Sequence, residues 1–357
     1  MIDDTLDAAQ RLQLKVHHGA PIVETDLRGI GLEHAPLPAA VFHQVDLRGA
    51  RFVGADLREA VFDHCALDGA SFAGALMRGA VLNNCRASDS QWQHAQLRNA
   101  RIVDCDLHGA QMQGCDFNLA ALVKCQLDGA DLRGAQLDRS VFSEVSAAQT
   151  RFEQIAMHQV SFLKCLLDGA SLAGSGLRLV TFHETPLRGR SFVAQHLQSC
   201  QFMDCELSGA DFSDAQLPQC NFKGATLDAA RFVKAQAANT VFAQAHGRDC
   251  NFAGATLKQA IFQASQWQAC RFDGALLYQA IFSDAHLAQC SLRDADLTYA
   301  DFARASIEGC DLRGSTVFRS NFHQTAERDA QFPDRAAALG TQPALAQAQA
   351  WRAGGRA

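Results

Sequence analysis

The chain of 357 residues has no run of eighteen apolar residues, which excludes a membrane-spanning helix as its organising element. Its start is acidic (Asp3, Asp4, Asp7) and lacks a basic stretch followed by an apolar core, so no targeting leader is expected and a cytoplasmic location is. Charge of one sign is also lacking. The 38 acidic residues are set against 32 basic ones, for a net charge of −6. The pairs Asp26/Arg28, Asp46/Arg48, Asp56/Arg58, Asp131/Arg133 and Asp311/Arg313 are spaced to neutralise themselves, which disfavours the dense negative field of a duplex mimic. No basic stripe interleaved with aromatics appears, so direct nucleic-acid binding is not expected. The 13 histidines are scattered, most of them on outward positions (His43, His108, His158, His183, His323), and assemble no triad. His64 beside Cys65 reads as a surface imidazole next to a buried thiol. Gly174-Ser175-Gly176 lacks the third glycine and the strand-to-helix context of a dinucleotide loop. No catalytic residue, cofactor or metal is therefore expected.

What the sequence has is a beat of five. Every fifth residue from Ile22 to Phe332 is a centre position, nearly always Leu or Phe, with a small residue two places earlier, as in Ala55-Asp56-Leu57-Arg58-Glu59 and Ala60-Val61-Phe62-Asp63-His64. A helix repeats at 3.6 and a strand at 2, so a sustained five requires a chain that coils one short side at a time. Cysteine recurs at twenty, as Cys65, Cys85, Cys105, Cys125 and again as Cys250, Cys270, Cys290, Cys310. About four sides thus close one coil. The fold expected is all-β, a parallel β-helix of about sixteen coils stacked at strand spacing, its axis filled by Leu and Phe and its small slots too narrow for anything larger. All 13 cysteines fall in that inward slot, so packing rather than disulfide or metal chemistry is their expected role.

Ala210-Asp211-Phe212, Cys220-Asn221-Phe222, Ala295-Asp296-Leu297 and Cys310-Asp311-Leu312 carry in full the pattern of small residue, Asp or Asn, then Leu or Phe. In this the chain resembles the pentapeptide repeat proteins over nearly its whole length, and the resemblance implies a right-handed quadrilateral β-helix. A closed coil packed with its own side chains offers no concave apolar pocket of ligand size, so no enzymatic activity is expected. Departures are local. The centres shrink to Ala87, Ala147, Ala237 and Gly247, each a potential void. Large residues take the small slot at Val145, Ile155, Val160, Val180, Arg190 and Gln195, which points to a differently turned band at residues 144–197, with Arg190 swung out to water.

Three regions follow: residues 1–19 as an N-terminal cap with a short helix from Asp4 to Leu14 using Leu6, Ala9, Leu12 and Leu14; residues 20–333 as the repeat; and residues 334–357 as an Ala/Gln-rich tail. In the tail Pro343 opens a brief helix carrying Leu345 and Trp351 and closed by Gly354 and Gly355, or the segment stays disordered. On the surface, Val41, Val61, Val81, Val141, Val241, Ile261 and Ile281 form two apolar stripes, and Tyr278 and Phe318 share an outward column. One reading is that β-branched residues suit an outer ladder; the other is a docking face for a protein partner. The resemblance extends to bacterial chains found with type VI secretion components, which implies a rigid scaffold or adaptor for effector delivery. Other relatives bind type II topoisomerases (DNA gyrase, topoisomerase IV) as duplex mimics and confer drug or toxin resistance. A homodimer through one end or the apolar side is left open, and an enzyme is left only if residues 144–197 open into a pocket.

Overall fold

A computed structural model describes residues 7–354, in which the chain folds as two compact units, one ending at Pro186 and the other beginning at Leu187. Each is a right-handed quadrilateral β-helix. Parallel bridges join residues twenty apart on four sides, as at Val41↔Val61, Asp46↔Ala66, Arg51↔Ser71 and Asp56↔Leu76. The pentad explains itself locally. The centre is buried, and the residue before it bridges to the neighbouring coils. The two residues after it turn the corner: Ala55 N–H bonds to the Phe52 carbonyl at 3.0 Å across Gly54, whose φ is +63°. A positive φ at the third turn residue is the mark of a type II turn. Many non-glycine residues, such as Glu59 (φ +60°), also hold this conformation. It costs an L-residue about 1–2 kcal/mol. The backbone bonds between coils offset it, here Glu59 N–H to the Arg78 carbonyl at 3.0 Å.

In the first unit α1 (Ala8–His17) precedes strands β1 (Ile22–Val23), β2 (Val41–His43), β3 (Val61–Asp63), β4 (Val81–Asn83), β5 (Arg101–Val103), β6 (Ala121–Val123), β7 (Val141–Ser143), β8 (Ala156–His158), β9 (Ser161–Leu163), β10 (Gly176–Arg178) and β11 (Thr181–His183). Strands β1 to β7, then β9 and β11, stack in register on one side, while β8 and β10 pair on another. That second ladder lies in the 144–197 band, where Val145, Ile155, Val160 and Val180 are all buried. The second unit carries β12 (Gln201–Met203), β13 (His246–Arg248), β14 (Gln266–Gln268), β15 (His286–Ala288) and α2 (Pro343–Gly354). Arg190 in the second unit is half-buried, unlike Val145, Ile155, Val160 and Val180 in the same slot.

Nine of the thirteen cysteines stand two residues beyond one of these strands, and hydrogen bonding explains why. A strand-like side lacks the turn bond, leaving the next small-slot N–H without its usual acceptor. Cys85 N–H instead donates to the Cys105 sulfur of the following coil at 3.4 Å, and the Cys85 thiol donates to the Phe62 carbonyl at 3.4 Å. A hydroxyl serves equally: Cys165 N–H donates to Thr185 Oγ1 at 3.3 Å. All thirteen cysteines are buried. Burial pushes Cys115 and Cys125 up to about 12 and Cys165 up to about 11, because the anion would lose water without gaining a cation.

Aromatic rings fill the axis. In the second unit Phe192, Phe212, Phe232, Phe252 and Phe272 stack face to face with centroids 4.7 to 4.9 Å apart. A second Phe column meets them edge-on, at 5.3 Å for Phe212 and Phe222. Each such pair adds about 0.5–1.5 kcal/mol beyond burial. Two tryptophans accompany small centres. Trp92 stacks on Phe72 at 4.2 Å, on the side after Ala87, and Trp267 lies directly over Gly247 with its Cζ3 3.2 Å from where a Cβ would sit. Each is preceded by Ser-Gln, and the serine accepts the indole N–H, Trp92 to Ser90 at 2.6 Å and Trp267 to Ser265 at 2.7 Å.

A short helix stands near each terminus. Asp7 caps α1 by accepting from Gln10 N–H at 2.7 Å, while its own N–H donates to the Gln10 side chain at 3.1 Å. Helix α1 therefore starts at Ala8; Asp4 and Leu6, expected within it, lie outside the described residues. Leu12 is buried, whereas Leu14 is exposed. Past Phe332, Arg335 lies over the Phe332 and Phe322 rings at 4.0 and 4.9 Å and bonds to Glu327. Gln342 N–H donates to His323 Nδ1 at 3.3 Å and His323 Nε2 donates to Gln349 of α2 at 3.0 Å. His323, expected to point outward, is therefore buried. Gly355 lies outside the described residues. Among those described, no helix is long and apolar enough to cross a membrane.

Candidate interaction surfaces

The apolar stripes sit on the bridging residue before the centre. Parallel pairing puts Val41, Val61 and Val81 in one ladder of the first unit and Val241, Ile261 and Ile281 in one ladder of the second. Val141 stands apart, paired with Ala121 and Ser161. Val41 is exposed, while the other six are half-buried because ladder neighbours cover one another's flanks. Each stripe is thus short and shallow, bounded by Arg101 after Val81 and by Asn221 and Asp301 around Val241, Ile261 and Ile281.

Tyr278 and Phe318 are joined by a residue the sequence reading missed. Tyr299 projects between them, 5.8 Å from each ring centroid and edge-on to both, with Arg319 Cζ 5.8 Å from its own ring. Tyr299 and Phe318 are exposed at 40% and 48%. Tyr299 occupies the left-handed turn position (φ +59°), where Gly, Asn, Asp or Gln is the easier choice; an aromatic there was the available signal.

The five Asp–Arg pairs form forks of 2.6 to 2.7 Å. The Arg28 side chain and backbone hold Asp26 down to about 2. Asp131 is buried, which alone would raise its pKa, but bonds from Arg133 and Gln113 outweigh burial and lower it. Shallow depressions interrupt the surface among the described residues. One of about 570 Å³ lies between Leu14 and Val16 of α1 and Pro36 and Pro38. Another of about 630 Å³ crosses β13 to β15, lined by His246, Arg248, Gln266 and His286 around Gly247.

The twenty-residue ladder, the plugged axis and the corner at every fifth residue define a pentapeptide-repeat solenoid. The chain belongs to the pentapeptide repeat family: the pentapeptide repeat region matches residues 115–192 and 195–266, and pentapeptide repeats (8 copies) match five segments between residues 25–63 and 275–314. Among solved structures, full-length QnrB1, a plasmid-mediated fluoroquinolone resistance protein, is 16% identical over 68% of this chain and 92% of its own, with a TM-score of 0.38. HetL, a pentapeptide repeat protein involved in heterocyst differentiation regulation from the cyanobacterium Nostoc, is 20% identical over 91% of this chain and 94% of its own, with a TM-score of 0.16. No curated protein matches.

Proposed function

We propose that the chain is a non-enzymatic scaffold that docks a protein partner on its outward apolar residues, above all on Tyr278, Tyr299 and Phe318. The carrying observation is this edge-to-face aromatic trio beside Arg319. Tyr and Arg are enriched in binding hot spots; Tyr brings a large contact area with only two rotors to fix, and Arg a planar fork of donors. A surface ordered in advance by the β-helix loses little entropy on binding. In its most specific form the partner is a bacterial type VI secretion component or effector, with the chain as adaptor in the cytoplasm. Co-purification of tagged wild type and of Tyr299→Asp and Phe318→Asp from a secreting bacterium tests it. The wild type should retain a spike or effector component and the two variants should lose it; equal recovery by all three removes the trio from the interface.

The alternative, topoisomerase binding by duplex mimicry, meets the Asp–Arg forks, which cancel charge within a few ångströms where a mimic needs one sign sustained. Supercoiling by purified gyrase should proceed unchanged at micromolar protein; inhibition, or rescue from a fluoroquinolone, would reinstate that reading.

A further inference from the structure

Three side chains on the outer face of the first unit converge without serving the core. Parallel register sets His43 of β2 opposite Asp63 of β3, and His64, in the left-handed turn conformation (φ +53°), turns its ring back to the same carboxylate. His43 Nδ1 lies 2.7 Å from one Asp63 oxygen and His64 Nδ1 3.0 Å from the other. The two rings stand 6.1 Å apart at 68°, and one donor atom from each residue lies within 4.8 Å of the others.

The electrostatics set Asp63 apart. Asp26, Asp46 and Asp56 each hold a forked arginine; among the described residues no arginine or lysine pairs with Asp63, and its charge meets only imidazoles. A neutral imidazole presents either N–H or a lone pair at Nδ1. A lone pair facing a carboxylate is repulsive unless a positive centre stands between them. With both imidazoles as Nδ1–H tautomers, each donates to a different Asp63 oxygen. When the rings shift their protons to Nε2, the same three donors face one another with lone pairs that a single divalent ion can share.

The geometry points to a divalent transition-metal site formed by His43, Asp63 and His64. Two imidazole nitrogens and one carboxylate oxygen suit zinc, copper(II) or nickel rather than magnesium or calcium, which take oxygen donors. Tetrahedral binding with bonds of about 2.0–2.2 Å puts neighbouring donors roughly 3.3 Å apart, so the carboxylate withdraws by a few tenths of an ångström and the rings close on each other. All three side chains are between 29% and 52% exposed and free to make that adjustment. Three protein donors leave one position for water, facing outward.

The test uses full-length protein stripped with EDTA and titrated calorimetrically with ZnCl2 at pH 7.5. Wild type should bind one equivalent through this site. Asp63→Asn should weaken that event roughly tenfold or more, and the double variant His43→Ala/His64→Ala should abolish it. His158→Ala, which removes an imidazole paired with a different carboxylate, Asp138, should titrate as wild type does. With copper(II), electron paramagnetic resonance should show nitrogen coupling from two imidazoles in wild type and one in His43→Ala. Far-UV circular dichroism keeps loss of fold separate from loss of ligand, the substituted side chains lying outside the core. Absence of zinc binding by wild type, or identical titrations of wild type and the double variant, overturns the assignment.

Discussion

Restoring the missing leucine at Gly247 should damage the protein. The repeat pattern asks for Leu there, yet even a Cβ would run into the Cys250 sulfur and stand 3.2 Å from both the Leu227 carbonyl and Trp267 Cζ3. Gly247→Leu overfills a closed coil, at a cost of about 1–3 kcal/mol. Trp267→Leu does the opposite. It removes an indole that meets Phe242, Phe252, Phe262 and Phe272 edge-on at 5.5 to 6.4 Å. Full truncation of a buried Trp costs about 3–5 kcal/mol, so Leu should lose about 2–3. If the two sites acted independently, the double variant would lose about 3–6 kcal/mol. If Trp267 occupies the volume that Gly247 vacates, Leu at both restores a plain column and lies within about 1 kcal/mol of wild type, a coupling of about 2–6 kcal/mol. Denaturant midpoints and slopes read by far-UV circular dichroism measure the cycle, with equal slopes required for the comparison. Additive losses, or a Gly247→Leu protein at least as stable as wild type, would refute the exchange of volume.

Thiol chemistry should report the fold: an alkylating reagent at pH 8 should leave the native protein unmodified and label all 13 cysteines once unfolded, and rapid labelling of any one in native buffer would contradict its burial. Cys85→Ala should cost about 1–3 kcal/mol by stranding backbone groups, with Cys85→Ser recovering part of it, as thermal melts will show. Ser90→Ala should cost a similar amount by orphaning the buried Trp92 N–H; an unchanged melt would mean that water replaces the serine. Asp131→Asn should cost about 1 kcal/mol at pH 7. Since folding lowers the Asp131 pKa, the carboxylate's contribution is complete above the unfolded value near 4 and fades as pH falls through the folded one. The gap between Asp131→Asn and wild type should therefore close in acid, and a gap constant from pH 7 to below the folded value would show that the charge is not its source.

The period of five and its recurrence at twenty carried the fold class, because a four-sided coil has so little interior that the small slot and the centre must repeat without slippage. Compensation was not legible. Nothing in Ala87 or Gly247 announces that a tryptophan lies on the next side or the next coil, although both tryptophans occur as Ser-Gln-Trp, the serine being the acceptor their N–H requires. The cysteine columns were seen and assigned to packing; their second role, bridging coils where the turn bond is missing, depends on which sides are strand-like, and that choice is made by the stack rather than by the pentad. Of the outward residues, Val41 and Phe318 were visible as exceptions to polarity, whereas Tyr299 stayed hidden because it belongs to a neighbouring column. His43 and His64 are 21 residues apart and meet only through the register.

Register at twenty also limits how such a chain can lengthen. Inserting a single residue would exchange inside for outside along everything downstream. Inserting one pentad would preserve burial but shift every later residue by a quarter-turn, so that cysteines meant for strand-like sides arrive at ordinary corners. Only duplication of a whole lap leaves each side chain above a suitable neighbour, so growth by copying is tolerated in laps and penalised in fractions of one.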